Sequence, residues 1–295
     1  MSIAIIGAGL AGLTCARVLV EAGLAVRLFD KGRAPGGRLA TKRLDVGGTT
    51  LRIDHGAQYL RPRDAGFAAL LAAYGAAPWP DEDRFVPIPS MSALPRALAE
   101  GLDIALGRTV SSLRRDGAGW RVDGEGPFDT VVLTAPAPQS AALLAEAAPE
   151  LAAMLSRVTY APCWTWLAAF EAPLPWPDAL RPDAGPIGWA ARNNSKPGRD
   201  AAEAWVVQAT PEWSRAHLEA DPASIASALR AALDAPPPLA EATHRWRYSL
   251  VEAALDRDCI WDAGRGVGIA GDFCIAGRAE AAFLSGRALA EAILA

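Results

Sequence analysis

The chain has 295 residues, of which 51% are hydrophobic and 21% charged, and a formal net charge of -4. That length calls for two lobes rather than one small core, and the composition is that of a soluble globular enzyme. The weak acidity gives no reason to expect nucleic acid or an anionic membrane as partner. Cys15, Cys163, Cys259 and Cys274 show neither C-x-x-C nor a metal-ligand spacing, and read as reduced packing residues of a cytoplasmic protein. No uninterrupted apolar stretch is long enough to span a bilayer, and a glycine motif starting near residue 3 is expected to leave no room for a signal peptide. Arginine carries nearly all the basic charge; Lys31, Lys42 and Lys196 are the only lysines.

The apolar run Ile3 to Ile6 ends on Gly7, Gly9 and Gly12, spaced G-x-G-x-x-G, and a helical pattern follows from Leu13 to Glu21. A second apolar run closes on Asp30. In such a unit the first glycine permits the tight turn, the second lets backbone approach a pyrophosphate, and the third allows close helix–strand packing. The helix N-terminus then points free N–H groups at the anion, and an acid about 20 residues on accepts from the adenosine ribose hydroxyls. Strand, glycines, helix and Asp30 together predict a dinucleotide site.

After Lys31 the segment Gly36-Gly37-Arg38 leads into an expected short helix or turn through Arg43. Asp54-His-Gly-Ala-Gln58-Tyr59 comes next, then a helical pattern from Asp64 to Tyr74 and a connection with five prolines between Pro78 and Pro95. A brief helix over Pro95 to Glu100, strands over 102–106, 110–113 and 120–123, and an apolar run from Phe128 to Thr134 are expected before an alanine-rich helix. From Ala161 the texture changes to tryptophan-bearing strands around Trp164, Trp189, Trp205 and Trp246, with helical patterns over 211–218 and 222–233. This predicts an antiparallel sheet with helices on one face. Val267 to Asp272 and a final helix from about Ala279 return to the style of the first domain. The division expected is a discontinuous cofactor domain over 1–77, 96–150 and 262–295, and a substrate domain over 78–95 and 151–261.

Two further elements point to FAD rather than a nicotinamide cofactor. Gly36-Gly37-Arg38 would bring backbone and a guanidinium against the phosphates. Gly271-Asp272 ends a late apolar strand, where the carboxylate can accept from ribityl hydroxyls. The helix starting near Glu280-Ala281-Ala282 would aim its positive end at the flavin pyrimidine ring. The candidate cofactor contacts are Gly7, Gly9, Ala11, Gly12, Asp30, Lys31, Gly37, Arg38, Gln58, Tyr59, Val110, Ala135, Gly271, Asp272, Ala281 and Ala282.

The Gly-Gly-Arg element, Asp54-His-Gly-Ala-Gln-Tyr59, Thr134-Ala-Pro-Ala-Pro-Gln139, Ala191 to Asp200, His244-Arg-Trp246-Arg-Tyr248 and Gly271 to Arg278 together resemble bacterial renalase-type flavoproteins, within the flavin amine oxidase superfamily. The resemblance runs over nearly the whole chain. It implies an α/β two-domain FAD-binding fold of the p-hydroxybenzoate hydroxylase or amine oxidase type. A Rossmann-like domain is then joined to a mixed or antiparallel-sheet substrate domain, with FAD bound non-covalently. It also implies oxidation of 2- and 6-dihydronicotinamide dinucleotides, with O2 as electron acceptor and hydrogen peroxide as product. A segment between Tyr74 and Met91 shorter than in the bacterial members, and His55 in place of an apolar residue, depart from that pattern.

Hydride transfer from a dihydropyridine to a flavin needs orientation and desolvation rather than a side-chain base. His55, His217 and His244 form no ligand spacing, and no G-x-S-x-G occurs. His244, Trp246 and Tyr248 share one face of a strand by their period of two. They either pack the sheet or orient a substrate over the flavin, and His244 and Tyr248 are the candidates for substrate orientation. The polar segment carrying Asn193, Asn194, Lys196 and Arg199 reads either as a solvated hairpin turn or as the holder of a dinucleotide substrate's phosphates. The resemblance favours the second, with Arg199 expected to match the pyrophosphate and Trp246 to meet the substrate. The alternatives are an amine oxidase or desaturase, for which Lys196 or Lys42 would stand near flavin N5, and a flavin-binding protein without turnover.

Overall fold

The structure, a computed structural model, describes residues 1–117 and 119–295. The chain forms two compact units. The first unit comprises Met1–Gly37, Leu94–Thr159 and Val251–Ala295, and the second comprises Arg38–Ala93 and Tyr160–Leu250.

In the first unit six strands form one sheet in the order Ile260–Asp262, Val267–Ile269, Thr130–Leu133, Ser2–Ile6, Ala25–Asp30, Asp103–Leu106. All neighbours run parallel except the first pair. The fingerprint strand lies inside that sheet, with Ile3, Ala4 and Ile5 fully buried, which is why it reads as a continuous apolar run rather than an alternating one. The helix Leu10–Glu21 follows and buries Leu13, Cys15, Ala16 and Leu19. It packs against the final helix, Ala279–Leu294, at Gly286, where a Cβ would stand 2.3 Å from the Ala11 carbonyl oxygen. No side chain there permits the two helices to touch backbone to backbone.

The second unit is built on a five-stranded sheet in the order Ala179–Leu180, Ile187–Arg192, Ala204–Ala209, Thr159–Ala169, Ala240–Ala253. One face carries Trp164, Trp166, Trp205 and Val207, and closes against Ile225, Ala226 and Leu229 of the helix Pro222–Ala232. That helix has a helical apolar spacing and starts on Asp221, whose carboxylate accepts from the N–H groups of Ala223 and Ser224. The expected antiparallel sheet with helices on one face is present.

Four expectations are corrected. The short helix or turn expected through Arg43 is a turn at Gly37–Arg38 only, and from Thr41 the chain forms a hairpin, Thr41–Val46 paired with Thr49–Asp54. Its two-residue loop is Gly47-Gly48 with φ of 57° and 87°, the positive pair that twists with the strands. The boundary also moves: residues 38–77, placed with the cofactor domain by sequence, group with the second unit. The reason is the hairpin's docking on the loop after Arg192. Asn193 Oδ1 accepts from the Asp54 N–H at 3.1 Å, Asn193 Nδ2 donates to Arg52 O at 3.0 Å, and Arg52 pairs with Asp200 at 3.0 Å. The ends of the strands shift as well. Residues 113–116 are the strand expected at 110–113, so Val110 lies outside it, and the alanine-rich stretch divides into Ala137–Leu144 and Pro149–Leu155.

Candidate functional site

In the first unit the candidate cofactor residues gather at the C-terminal ends of the parallel strands, where ligands of open α/β sheets bind. Gly7 adopts φ +111°, and a Cβ there would meet Thr134 Oγ1 at 2.6 Å. Thr134 Oγ1 donates to Gly7 O at 2.9 Å and so joins the end of its own strand to the glycine turn. At Gly12 a Cβ would stand 2.0 Å from Gly7 O, whereas at Gly9 it would meet no atom within 4 Å. Gly7 and Gly12 are therefore needed by the turn itself, and Gly9 leaves an open cradle in front of the helix. The second glycine pair closes onto the first: Gly36 N–H donates to Ala8 O at 2.8 Å, and Gly37 adopts φ +55°.

Asp30 braces this loop. Its Oδ2 accepts from Ala8 N–H at 2.6 Å and its Oδ1 from Gly32 N–H at 2.6 Å. Each carboxylate oxygen keeps a second lone pair, so the ribose role expected from sequence is compatible with this bracing. Gly107 and Arg108 N–H groups donate to Gly32 O and Asp30 O, which brings the turn preceding Val110 alongside. Ala135 follows Thr134, while Lys31 is exposed. Gly271 has its own packing reason, since a Cβ there would stand 2.3 Å from the Phe273 ring. Asp272 beside it is buried. The final helix begins at Ala279 with no side-chain cap, and Ala281 and Ala282 lie in its first turn. A glycine cradle, an uncapped long helix and an acid at the ribose position fit the phosphates and sugars of a dinucleotide cofactor.

In the second unit the segment Asp54 to Tyr59 is the keystone. Asp54 is fully buried, and its Oδ2 receives Arg199 Nη2 at 2.6 Å and Nε at 3.1 Å, with Lys196 Nζ at 3.6 Å. Its Oδ1 accepts from Thr41 Oγ1 at 2.7 Å and Met91 N–H at 2.9 Å. Burial alone would raise the Asp54 pKa; Lys196 and Arg199 hold it below the usual carboxylate range. Burial pushes Lys196 down to about 8 against the opposing pull of Asp54. Lys196 also donates to Gln58 Oε1 at 2.9 Å, and Gln58 Nε2 donates to Asp54 O and Gly56 O. At Gly56 a Cβ would stand 2.0 Å from Arg38 O, which also accepts from Ala57 N–H at 2.9 Å. Arg38 donates to Ser249 O at 3.0 Å.

The segment lies against one set of side chains from the sheet. Gln208 Nε2 donates to Gly56 O at 2.8 Å and Trp246 Nε1 to His55 O at 3.0 Å. The His55 ring stands 4.9 Å from His244 and 5.2 Å from Trp246, the latter stacked at 29°. His244 and Trp246 are 4.2 Å apart. Tyr59 meets Trp189 at 5.7 Å, and Tyr248 meets Tyr160 at 5.4 Å. His55 is pushed down to about 3, first by burial and then by His244 and Lys42; His244 is lowered by burial and Lys42. Both imidazoles are therefore neutral at pH 7.

The polar loop does not have the expected exposure. Lys196 and Arg199 have side-chain exposures of 0% and 1% and are matched by Asp54, so neither is a solvent-facing cation waiting for a pyrophosphate. Asn193 holds the hairpin, and Asn194 Nδ2 donates to Glu203 at 3.2 Å. Sequence reasoning missed Asp54, whose partners lie 142 and 145 residues away in the chain with no local signal. It named Lys42 only as an alternative lysine near flavin N5, and missed the strand that carries it, where charged residues mask the alternation. Among the described residues no group of three or more His, Cys, Asp or Glu is placed to hold a metal ion, and no helix is long and apolar enough to cross a membrane.

Residues 81–294 match the family described as flavin containing amine oxidoreductase, and residues 5–74 match the NAD(P)-binding Rossmann-like domain. Among solved structures, wild-type putrescine oxidase bound to putrescine is similar at 14% identity and a TM-score of 0.73. Cyclohexylamine oxidase from Brevibacterium oxydans IH-35A is similar at 13% and 0.67, and a CLA-producing fatty acid isomerase from P. acnes at 12% and 0.72. Each alignment covers 99% of this chain and 98% of the other. At such identities the likeness is one of fold: the two-domain FAD-binding fold, with its Rossmann-like domain, that the sequence predicts.

Proposed function

The chain belongs to the family of flavin-containing amine oxidoreductases, and from that premise we propose that it is a renalase-type oxidase of 2- and 6-dihydronicotinamide dinucleotides. It is an FAD-dependent oxidoreductase; when bound, FAD supplies the acceptor that takes a hydride at N5 and passes two electrons to O2. The glycine cradle of Gly7, Gly9 and Gly12, with Asp30 and Gly37, would hold its phosphates and adenosine. Gly271, Asp272, Ala281 and Ala282 would hold the ribityl and pyrimidine end, without a covalent bond.

The observation that carries the substrate reading is the ring cluster of His55, His244 and Trp246, with centroids 4.2–5.2 Å apart and both imidazoles neutral. A flat, uncharged dihydropyridine is matched by flat, uncharged rings. It supplies its own electron push, so the residues have only to orient it and exclude water. His244 and Trp246 are assigned to orientation, with Tyr248 beside Tyr160 bounding the face. Lys196, a candidate for the place near flavin N5 in an amine oxidase, is committed to Asp54 and Gln58 inside the fold.

Amine oxidation is the second reading, favoured by the family itself. Anaerobic mixing of the yellow holoprotein with 6-dihydro-NAD, then with benzylamine and putrescine, separates the two. Bleaching of the flavin by the dihydronicotinamide and not by the amines is the expected result. Bleaching by amines alone establishes the second reading, and bleaching by neither donor class leaves the chain a flavin carrier.

A further inference from the structure

Lys42 is the one lysine that is neither fully exposed nor locked into the Asp54 cluster. In the hairpin Thr41 pairs with Asp54 and Lys42 with Ile53. Successive side chains on a strand point to opposite faces. Thr41 accordingly turns to Asp54, which accepts from its hydroxyl at 2.7 Å, and Lys42 reaches the other way, its Nζ 3.5 Å from Thr243 O. That carbonyl immediately precedes His244. Ala40, on the other side of Thr41, accepts from the His55 N–H at 3.1 Å, so the same short strand start touches both histidine segments. His55 Nδ1 is buried and has no hydrogen-bond partner.

The charges around these rings are unequal. Asp54 is the nearby carboxylate, and it already faces two cations, Lys196 and Arg199. Lys42 adds a third. On the strand Ala240–Ala253, Arg245 and Arg247 pair with Glu219, while Glu241 accepts from Trp166 Nε1. Those acids are thus committed elsewhere. His55 feels both Lys42 and Asp54, whereas Lys42 is the charge felt by His244.

We propose that Lys42 sets the charge selectivity of the His55–His244–Trp246 face, so that it accepts neutral rings carried on anionic groups and disfavours protonated amines. The inference rests on the reading that this face receives the electron donor. It replaces Arg199 as the cation that an anionic substrate meets. A positive potential raises the local concentration of anions and lowers that of ammonium ions, most strongly at low ionic strength.

The test uses the full-length FAD-loaded protein and its Lys42→Gln and Lys42→Glu variants. Calorimetric titration with ADP-ribose, an anion that cannot reduce flavin, and with benzylamine, a cation, gives an affinity ratio independent of turnover. Lys42→Gln should weaken ADP-ribose binding about two- to fivefold, as for one partly solvated charge, with Lys42→Glu weakening it further and strengthening benzylamine. The dependence of ADP-ribose binding on salt should flatten in both variants. In parallel, NMR titration of the histidine rings should show the His244 midpoint rising in Lys42→Gln. An unchanged ratio and unchanged salt slope, or no binding of either probe to the wild type, overturn the proposal. Absence of flavin bleaching by dihydronicotinamides in the wild type, with the ratio shifting as expected in the variants, speaks against the functional reading instead.

Discussion

Asp54 shows how much a single buried charge decides. It is the acceptor for Arg199, Lys196, Thr41 and Met91, and it fixes the start of the segment that carries His55, Gln58 and Tyr59. Removing its charge leaves two buried cations uncompensated, a situation that costs about 3–5 kcal/mol where measured. Asp54→Asn is therefore expected to lower stability by that amount in urea denaturation, whereas Lys196→Met keeps the Asp54–Arg199 pair and should cost less. The pH dependence has two opposite windows. The Asp54 pKa is lowered by folding, so its contribution is present above the unfolded value of about 3.9 and is lost as pH falls. The Lys196 pKa is also lowered, to about 8, so between there and about 10.4 the unfolded chain binds more protons and stability rises with pH. Wild type should thus gain on Lys196→Met across that window, by at most ~1.4 kcal/mol per pH unit. A gap that stays constant from pH 7.5 to 9.5 contradicts a buried, charged Lys196.

At the scale of elements, the strand–glycine–helix unit was legible in the sequence because most of its demands are local. Gly12 is dictated by the Gly7 carbonyl, and Gly7 by its own positive φ together with Thr134 and Ala135 at the end of the neighbouring strand. The hairpin 41–54 was locally encoded too, by alternation around Gly47-Gly48, but the charges on Lys42, Arg43 and Asp45 hide its period of two. The Asn193–Arg199 loop was illegible for another reason: composition makes it polar, and only a carboxylate 145 residues earlier makes it buried. The glycines separate fold from cofactor. Gly12→Ala would put a Cβ 2.0 Å from a carbonyl oxygen and should unsettle the first unit as well as abolish FAD binding. Gly9→Ala meets no protein atom within 4 Å, so the apoprotein should keep its thermal midpoint while FAD affinity falls. Apoprotein melting and flavin titration read the two effects separately. A Gly9→Ala protein with wild-type flavin affinity removes the pyrophosphate from this cradle.

Across the whole molecule, the chain leaves and re-enters its first unit, so cofactor residues near position 7 and near position 281 are joined only by folding. Most of the candidate FAD contacts lie in that unit, while Arg38, Gln58 and Tyr59 lie in the second. The divisions expected after 150 and before 262 differ from those of the two units, at Thr159–Tyr160 and Leu250–Val251, and the division at Gly37–Arg38 was not expected, because strand, loop and charge run on there without a break. A ligand that binds only the folded state stabilises it by about 2.7 kcal/mol at a hundred times its dissociation constant. Opening reactions are not uniform, so the increment is largest for amides whose own opening would release the ligand. Adding FAD to the apoprotein should therefore slow hydrogen exchange most at residues 8–13, 30–37, 134–136, 271–273 and 281–283. The helix Pro222–Ala232, sealed by Ile225 and Leu229 into the tryptophan core, should change least. Exchange read by mass spectrometry at peptide resolution distinguishes the outcomes. If the greatest slowing falls on that helix, or is equal along the chain, the strand-end cradle is not where FAD is held.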